Sequence, residues 1–289
     1  LYKDGLVYKD KRLSNWDPKL KTTISDLEVI QKEVTGTLWY IDYEIENEDS
    51  KITIATTRPE TMLGDTAIAV HPDDNRFIDM VGKFAILPIV KKRIPIVADE
   101  YVKMDQGSGA VKITPAHDFN DYELGKRHKL EIINIFKENA ELNENCPKEY
   151  QGLDRYTARE KIISELKEKK ILIKEEENLH MVPYGDRSGE VIEPLLTDQW
   201  FVDAKKLSFD AIDNVKNGNT KFIPSNWDKV YFDWMENIQP WCVSRQLIWG
   251  HQIPAWYGPD GNIFVEETTE EAHISANKYY GKDVKLVQE

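Results

Sequence analysis

Cysteine is nearly absent: Cys146 and Cys242 are the only two among 289 residues, far apart and outside any CxxC or HxxxH spacing. Neither a zinc ribbon nor a disulfide framework fits that pattern, which leaves two reduced structural thiols. No apolar run is long enough to span a bilayer, and no signal-peptide layout is present. Positive charge is in deficit, with 38 Lys and Arg against 51 Asp and Glu and a net charge of -13. Phosphate binding needs clustered Lys and Arg, so a generic nucleic-acid binder is excluded and any RNA contact must be local and small. No internal repeat and no low-complexity segment occurs. The chain starts at Leu1 with no initiator Met, and reads as an internal piece of a larger cytoplasmic protein, with a monomer as the plain expectation.

What is present is a globular composition, 40% hydrophobic and 10% aromatic, in a chain long enough for more than one folding unit. Leu38 to Ile45 and Ile52 to Thr57 alternate apolar and polar residues, and Ala67 to Val70, Phe84 to Val90, Ile94 to Ala98 and Ala110 to Thr114 are short and rich in Val and Ile. This is a series of strands punctuated by Pro, Gly and Asp turns. Helical spacing is expected over Asp73 to Met80, Asp118 to His128 and Asp154 to Lys170, the last with Ala158, Ile162, Ile163 and Leu166 on one stripe. Many short strands with few helices predict a mixed α/β fold, mainly β, around a closed or strongly curved sheet. After about Gly189 the character changes to aromatic-rich stretches such as Tyr231-Phe-Asp-Trp234, which read as surfaces that pack on another unit.

Two segments concentrate the chemistry. In Thr56-Thr-Arg-Pro-Glu-Thr61 the proline disfavours helical geometry at Arg58, so a strand ends there and Thr57, Arg58 and Thr61 sit at its exit. In the second segment, Gly107-Ser-Gly109 offers close backbone approach before a strand whose residues Lys112 and Thr114 share one face. Pro115 ends that strand, and Asp118 and Asp121 follow on adjacent turns at a helix start. Capping of the helix by Asp118 competes with a binding role, and one carboxylate can cap while its neighbour binds. His117 beside these acids invites a catalytic triad, but no Ser has nucleophile-elbow context, and the residue reads as a structural hydrogen-bond partner. Asp65, His71, Asp73 and Asp74 suit turns and caps at least as well as a metal, so no metal site is expected.

Both segments resemble the editing domain of the valyl-tRNA synthetase family, class I aminoacyl-tRNA synthetases. So do Asn15-Trp-Asp-Pro18, Leu63-Gly-Asp-Thr66, Pro183-Tyr-Gly-Asp-Arg-Ser-Gly189, Thr197-Asp-Gln-Trp-Phe-Val202 and Trp241-Cys-Val-Ser-Arg-Gln246, in the family's order over about residues 1 to 257. The isoleucine type carries His where Lys112 stands and Gly where Asp118 stands, which favours valine. The resemblance implies a barrel-like editing domain with peripheral helices over residues 37–189, a connecting segment over 1–36, and a flanking segment over 190–289 that leads back to the catalytic domain. It implies hydrolysis of threonine mischarged on the 3′ end of tRNA(Val), with Asp121, Lys112 and Thr114 catalytic and Arg58, Thr57, Thr61 and Asp118 binding substrate. Gln106 departs from relatives that carry an aromatic there. No His begins an H-x-G-H motif and no KMSKS-like segment occurs, so the ATP and Mg of the parent's aminoacylation are expected to bind elsewhere, and editing to need no cofactor. The rest of the parent synthetase is then the chain's other partner. Non-catalytic tRNA docking, an isoleucine- or leucine-type editing domain, and ATP-dependent ligation by the chain itself are the competing expectations.

Overall fold

Trp39, Ile41, Tyr43 and Ile45 are buried while the residues between them are not, the period-two signature of a strand with one face on a core. The computed structural model describes residues 1–289 and divides them into two compact units, Lys11–Asp198 and Leu1–Asp10 with Gln199–Glu289. The division falls inside strands β1 (Val7–Asp17) and β10 (Glu193–Val202). Between them the chain forms β2 (Thr22–Ile24), β3 (Val29–Ile45), β4 (Lys51–Thr56), β5 (Ala67–Val70), β6 (Phe84–Ile86), β7 (Arg93–Ala98), β8 (Ala110–Ile113), helices α1 (Phe119–His128) and α2 (Arg155–Glu168), and β9 (Leu172–Gly185).

The Lys11–Asp198 unit is built on a curled half-barrel sheet in the order β4-β3-β6-β7-β5-β8, with β9 also paired to β3. All these pairs are antiparallel except β5 with β7. The expected mixed, mainly β architecture is the one observed. Strand β5 is buried on both faces and therefore apolar throughout: Ile68 and Val70 enter the main core, Ala67 and Ala69 a smaller one with Val102, Ile113 and Leu124. Helix α2 lays Ala158, Ile162 and Leu166 on the main core. The expected 36/37 boundary lies within β3, whose first half pairs with β9 from Val29↔Gly185 onward.

Two local expectations are corrected. No α-helix forms over 73–80; only a single 3-10 turn, Ile78–Met80, is present. Asp74 takes the Arg76 backbone N–H at 3.0 Å and its guanidinium at 2.5 to 3.2 Å, a local side-chain alternative to helical hydrogen bonding. The strand starting at Phe84 ends at Ile86, because Pro88 has no N–H to give and Ile89 and Lys91 adopt positive φ of 62° and 59°.

The second unit holds α3 (Ala204–Lys216), α4 (Trp227–Glu236), β11 (Trp241–Cys242), β12 (Ala255–Tyr257), β13 (Ile263–Val265), α5 (Thr269–Tyr280) and β14 (Val287–Gln288). Strand β12 is central to a three-stranded antiparallel sheet with β13 and β14. Trp200 and Trp256 are buried here, whereas Trp227, Trp234, Trp241 and Trp249 are exposed. No helix of the chain is long and apolar enough to cross a membrane.

Candidate functional site

Lys112 stands on strand β8 two residues after Ala110, hence on the face that Ala110 turns to the main core. A lysine on that face is 7% exposed, and a buried ammonium is tolerated only with a full set of partners. Its three N–H groups go to Thr61 Oγ1 at 2.7 Å, Thr114 Oγ1 at 2.6 Å and Asp65 Oδ1 at 3.0 Å. Thr114 passes its hydroxyl proton to the same Asp65 oxygen at 2.7 Å, Thr61 gives its own to the Arg58 carbonyl at 3.0 Å, and Tyr43 donates to Asp65 Oδ2 at 2.7 Å. Asp65, fully buried, thus accepts three hydrogen bonds. Burial raises its pKa against the opposing pull of Lys112, Thr114 and Tyr43, and burial together with Asp65 raises that of Tyr43.

Asp65 was legible in the sequence only as a turn acid. The missed signal was Lys112 itself, since a lysine alternating with apolar residues on a core strand requires a carboxylate. The imagined metal cluster does not assemble: Asp65 belongs to Lys112, Asp74 to Arg76, and His71 Nδ1 takes the Asp73 N–H. No group of three or more His, Cys, Asp or Glu side chains is placed to hold a metal ion.

Asp118 and Asp121 take different parts. Exposed Asp118 caps α1, accepting from the N–H groups of Asn120 at 2.8 Å and Asp121 at 3.0 Å. Asp118→Ala should therefore cost about 1 kcal/mol and Asp118→Asn only a few tenths, as read by urea unfolding. Buried Asp121 accepts the Thr114 N–H at 2.8 Å on one oxygen, and no cation pairs with it. Burial and the neighbouring Asp118 charge push its pKa up to about 7, against the pull of Lys112 and the Thr114 N–H. A carboxyl so poised exists in both protonation states near neutrality.

Arg58 lies at the end of β4 beyond Thr57, which is half-buried. Its guanidinium donates to Glu60 at 3.3 Å, to the His117 carbonyl at 3.3 Å and to Glu193. Burial disfavours its charge, but Glu193 and Glu60 outweigh burial and hold its pKa above the ordinary arginine value. His117 Nε2 accepts the Ile135 N–H at 2.9 Å and its ring meets Phe136 edge-on at 4.7 Å. Burial and the Arg58 charge push its pKa down to about 3, so the imidazole is neutral and structural, as the sequence suggested. The turn before β8 needs its glycines: Gly107 and Gly109 have φ of 56° and 81°, and a Cβ on Gly109 would stand 2.1 Å from Arg76 Nη2.

The predicted residues Thr61, Lys112 and Thr114 meet in one network, with Asp121 bound to Thr114 and Arg58 to Thr61. Asp118 joins through the α1 cap, and Thr57 through its place in the chain. Two hollows, of about 10 and 750 Å³, lie elsewhere, around Glu44 to Lys51 and Ile86 at the β3–β4 end. The three donors of Lys112 are all taken inside the network. The donors and acceptors left over are one oxygen each of Asp121 and Asp118, the Thr57 hydroxyl and two Arg58 N–H groups.

The chain that folds into this curled sheet matches one family description over residues 1–287: tRNA synthetases class I (I, L, M and V). The chain belongs to that family. Among curated proteins it is similar to the valine–tRNA ligase of Pelagibacter ubique, 63% identical over 289 residues that make up 100% of this chain and 33% of that protein. It is 58% identical to that of Mesorhizobium japonicum over 97% of this chain and 33% of the relative, and 53% identical to that of Francisella tularensis over 100% and 31%. The chain therefore spans about a third of the length of these relatives. A solved ternary complex of Agrobacterium radiobacter K84 agnB2 LeuRS with tRNA and LeuAMS also matches, with a TM-score of 0.39, 18% identity, and coverage of 92% of this chain and 34% of that one.

Proposed function

We propose that the Lys11–Asp198 unit is a hydrolytic editing module that removes threonine esterified to the 3′ end of tRNA(Val). Its relatives are named valine–tRNA ligases. Threonine and valine share a shape, so an apolar synthetic pocket separates them only about a hundredfold, a limit for which valine enzymes are the standing example. A second, polar pocket reverses the preference: the threonine hydroxyl satisfies buried polar groups that the valine methyl leaves unpaired, at about 1–3 kcal/mol per group.

The observation that carries this reading is the meeting of the Thr61 and Thr114 hydroxyls at the Lys112 ammonium, with the buried Asp121 carboxyl, its pKa pushed up to about 7, on the Thr114 N–H beside them. Ionised Asp121 anchors the α-ammonium or the side-chain hydroxyl through its unengaged oxygen. Lys112 and Thr114 complete hydroxyl recognition, which requires one of their internal bonds to yield to substrate, and they supply positive potential to the ester carbonyl. Arg58, Thr57, Thr61 and Asp118 position the nucleoside end and the attacking water, with no covalent enzyme intermediate. On this reading the ATP and Mg used by the whole synthetase act outside these 289 residues, the protein works in the cytoplasm, and the chain itself is a monomer.

The closure of the Lys112 network favours a second reading, in which the unit only docks tRNA within the synthetase. Deacylation of threonyl- and valyl-tRNA(Val) by the 289-residue chain separates the two. Editing predicts threonyl ester cleavage at least tenfold faster than valyl, a preference that one buried hydrogen bond supplies. Cleavage of both esters at the spontaneous rate would leave only docking.

A further inference from the structure

Behind Arg58 lies a run of charges that the sequence did not announce. Glu60 receives Arg159 of α2 through two bonds, at 2.7 and 2.8 Å. Glu193, at the start of β10, receives Arg155 Nη1 at 2.7 Å on one oxygen and Arg58 on the other. Arg155 also donates to the Val191 carbonyl and to Glu190, both at 2.9 Å. The side chains of Glu60, Glu193 and Arg155 are 1 to 4% exposed, while that of Arg58 is 31% exposed. Arg155 and Arg159 stand four apart on α2, one above the other, so each carboxylate bridges a helix arginine to Arg58.

A buried carboxylate that loses one partner keeps its desolvation cost, so neither Glu60 nor Glu193 can swing away from Arg58 cheaply. Their two bonds, with the one to the His117 carbonyl, use three of the five N–H groups of a planar guanidinium and fix its plane. The two unused N–H groups therefore point in a set direction with full positive charge behind them. Both Glu193 oxygens face arginines, and in the sequence it would have passed as an ordinary strand residue beside Pro194.

We propose that Glu193 is a positioning residue, which holds Arg58 for the oxygen-rich 3′ nucleotide of the substrate while Arg155 holds Glu193. This rests on the reading of Arg58 as a substrate-binding group. The test compares the 289-residue chain with Glu193→Gln, Arg58→Met and the double variant. Kinetics of threonyl-tRNA(Val) deacylation are measured alongside NMR exchange of the Arg58 Nη2–H that Glu193 accepts, whose signal is identified by its loss in Arg58→Met.

Glu193→Gln is expected to raise KM about tenfold with kcat within about twofold, to release the Arg58 Nη2–H to fast exchange, and to add nothing in the Arg58→Met background. Glu193→Asp, which keeps the charge that Arg155 requires, gives a smaller KM effect in the same direction and serves if the Gln variant fails to fold. Equal effects of Glu193→Gln with and without Arg58, or an Arg58 Nη2–H still protected in Glu193→Gln, would overturn the assignment. Absence of deacylation by the unsubstituted chain would instead remove the editing reading, and the exchange measurement would still decide what Glu193 does.

Discussion

Asp121→Asn lowers kcat/KM for threonyl-tRNA(Val) by about 10²–10³-fold and abolishes its pH dependence below neutrality. On the proposed editing reading, Asp121 must be ionised to hold the α-ammonium or the side-chain hydroxyl, and its pKa is pushed up to about 7 by burial and by Asp118. With spontaneous hydrolysis subtracted, the rate therefore climbs about tenfold per pH unit below that point and levels above it. Asp118→Asn removes the second cause and moves the bend to lower pH.

The same shift acts on stability. The folded state binds the Asp121 proton more tightly than the unfolded state, so the contribution is fully present below about pH 4 and is lost as pH rises to about 7. Relative to Asp121→Asn, the unsubstituted chain should lose on the order of 1.4 kcal/mol per pH unit across that window. Urea unfolding of both at pH 4.5, 5.5, 6.5 and 7.5 measures it. A rate profile for Asp121→Asn that still rises through pH 6 would assign the titrating group elsewhere.

Lys112→Met lowers the unfolding free energy of the Lys11–Asp198 unit by about 3–5 kcal/mol. Asp65 lies wholly inside the protein with Lys112 as its only cation, 3.0 Å away, and the methionine leaves that carboxylate uncompensated. Thr61 and Thr114 lose a donor in the same step. The melting temperature should fall on the order of 10 °C. Adding Asp65→Asn recovers part of the loss, because the remaining polar group is then neutral. A drop below about 1 kcal/mol in the single variant would mean that water or another cation reaches Asp65. Deacylation also fails in Lys112→Met, but the stability readout stands whatever the unit hydrolyses.

Much of the sheet could be read from period-two alternation and from short runs rich in Val and Ile. Ala67 to Val70 is a strand over that whole span, and the stretches from Ile52, Ile94 and Ala110 hold to within a residue or so. Alternation fails where turn chemistry intervenes, as with the Asp74–Arg76 pair and the Pro88 turn. It was also weak for Val29 to Gly36, where both faces of β3 are largely exposed and pairing with β9 is what keeps the chain extended.

By itself the sequence determined which segments the candidate residues stand on. The places of Thr61, Lys112, Thr114 and Asp121 follow from local rules: a proline ends one strand, side chains alternate on the next, and Asp118 caps a helix whose first turn carries Asp121. Only the tertiary structure decided who holds whom. Asp65 reaches Lys112 across 47 residues, and Glu193 reaches Arg58 across 135. Burial, which sets the cost of every unpaired charge and lifts Asp121 toward neutrality, arises only when the curled sheet and the two helices exclude water together.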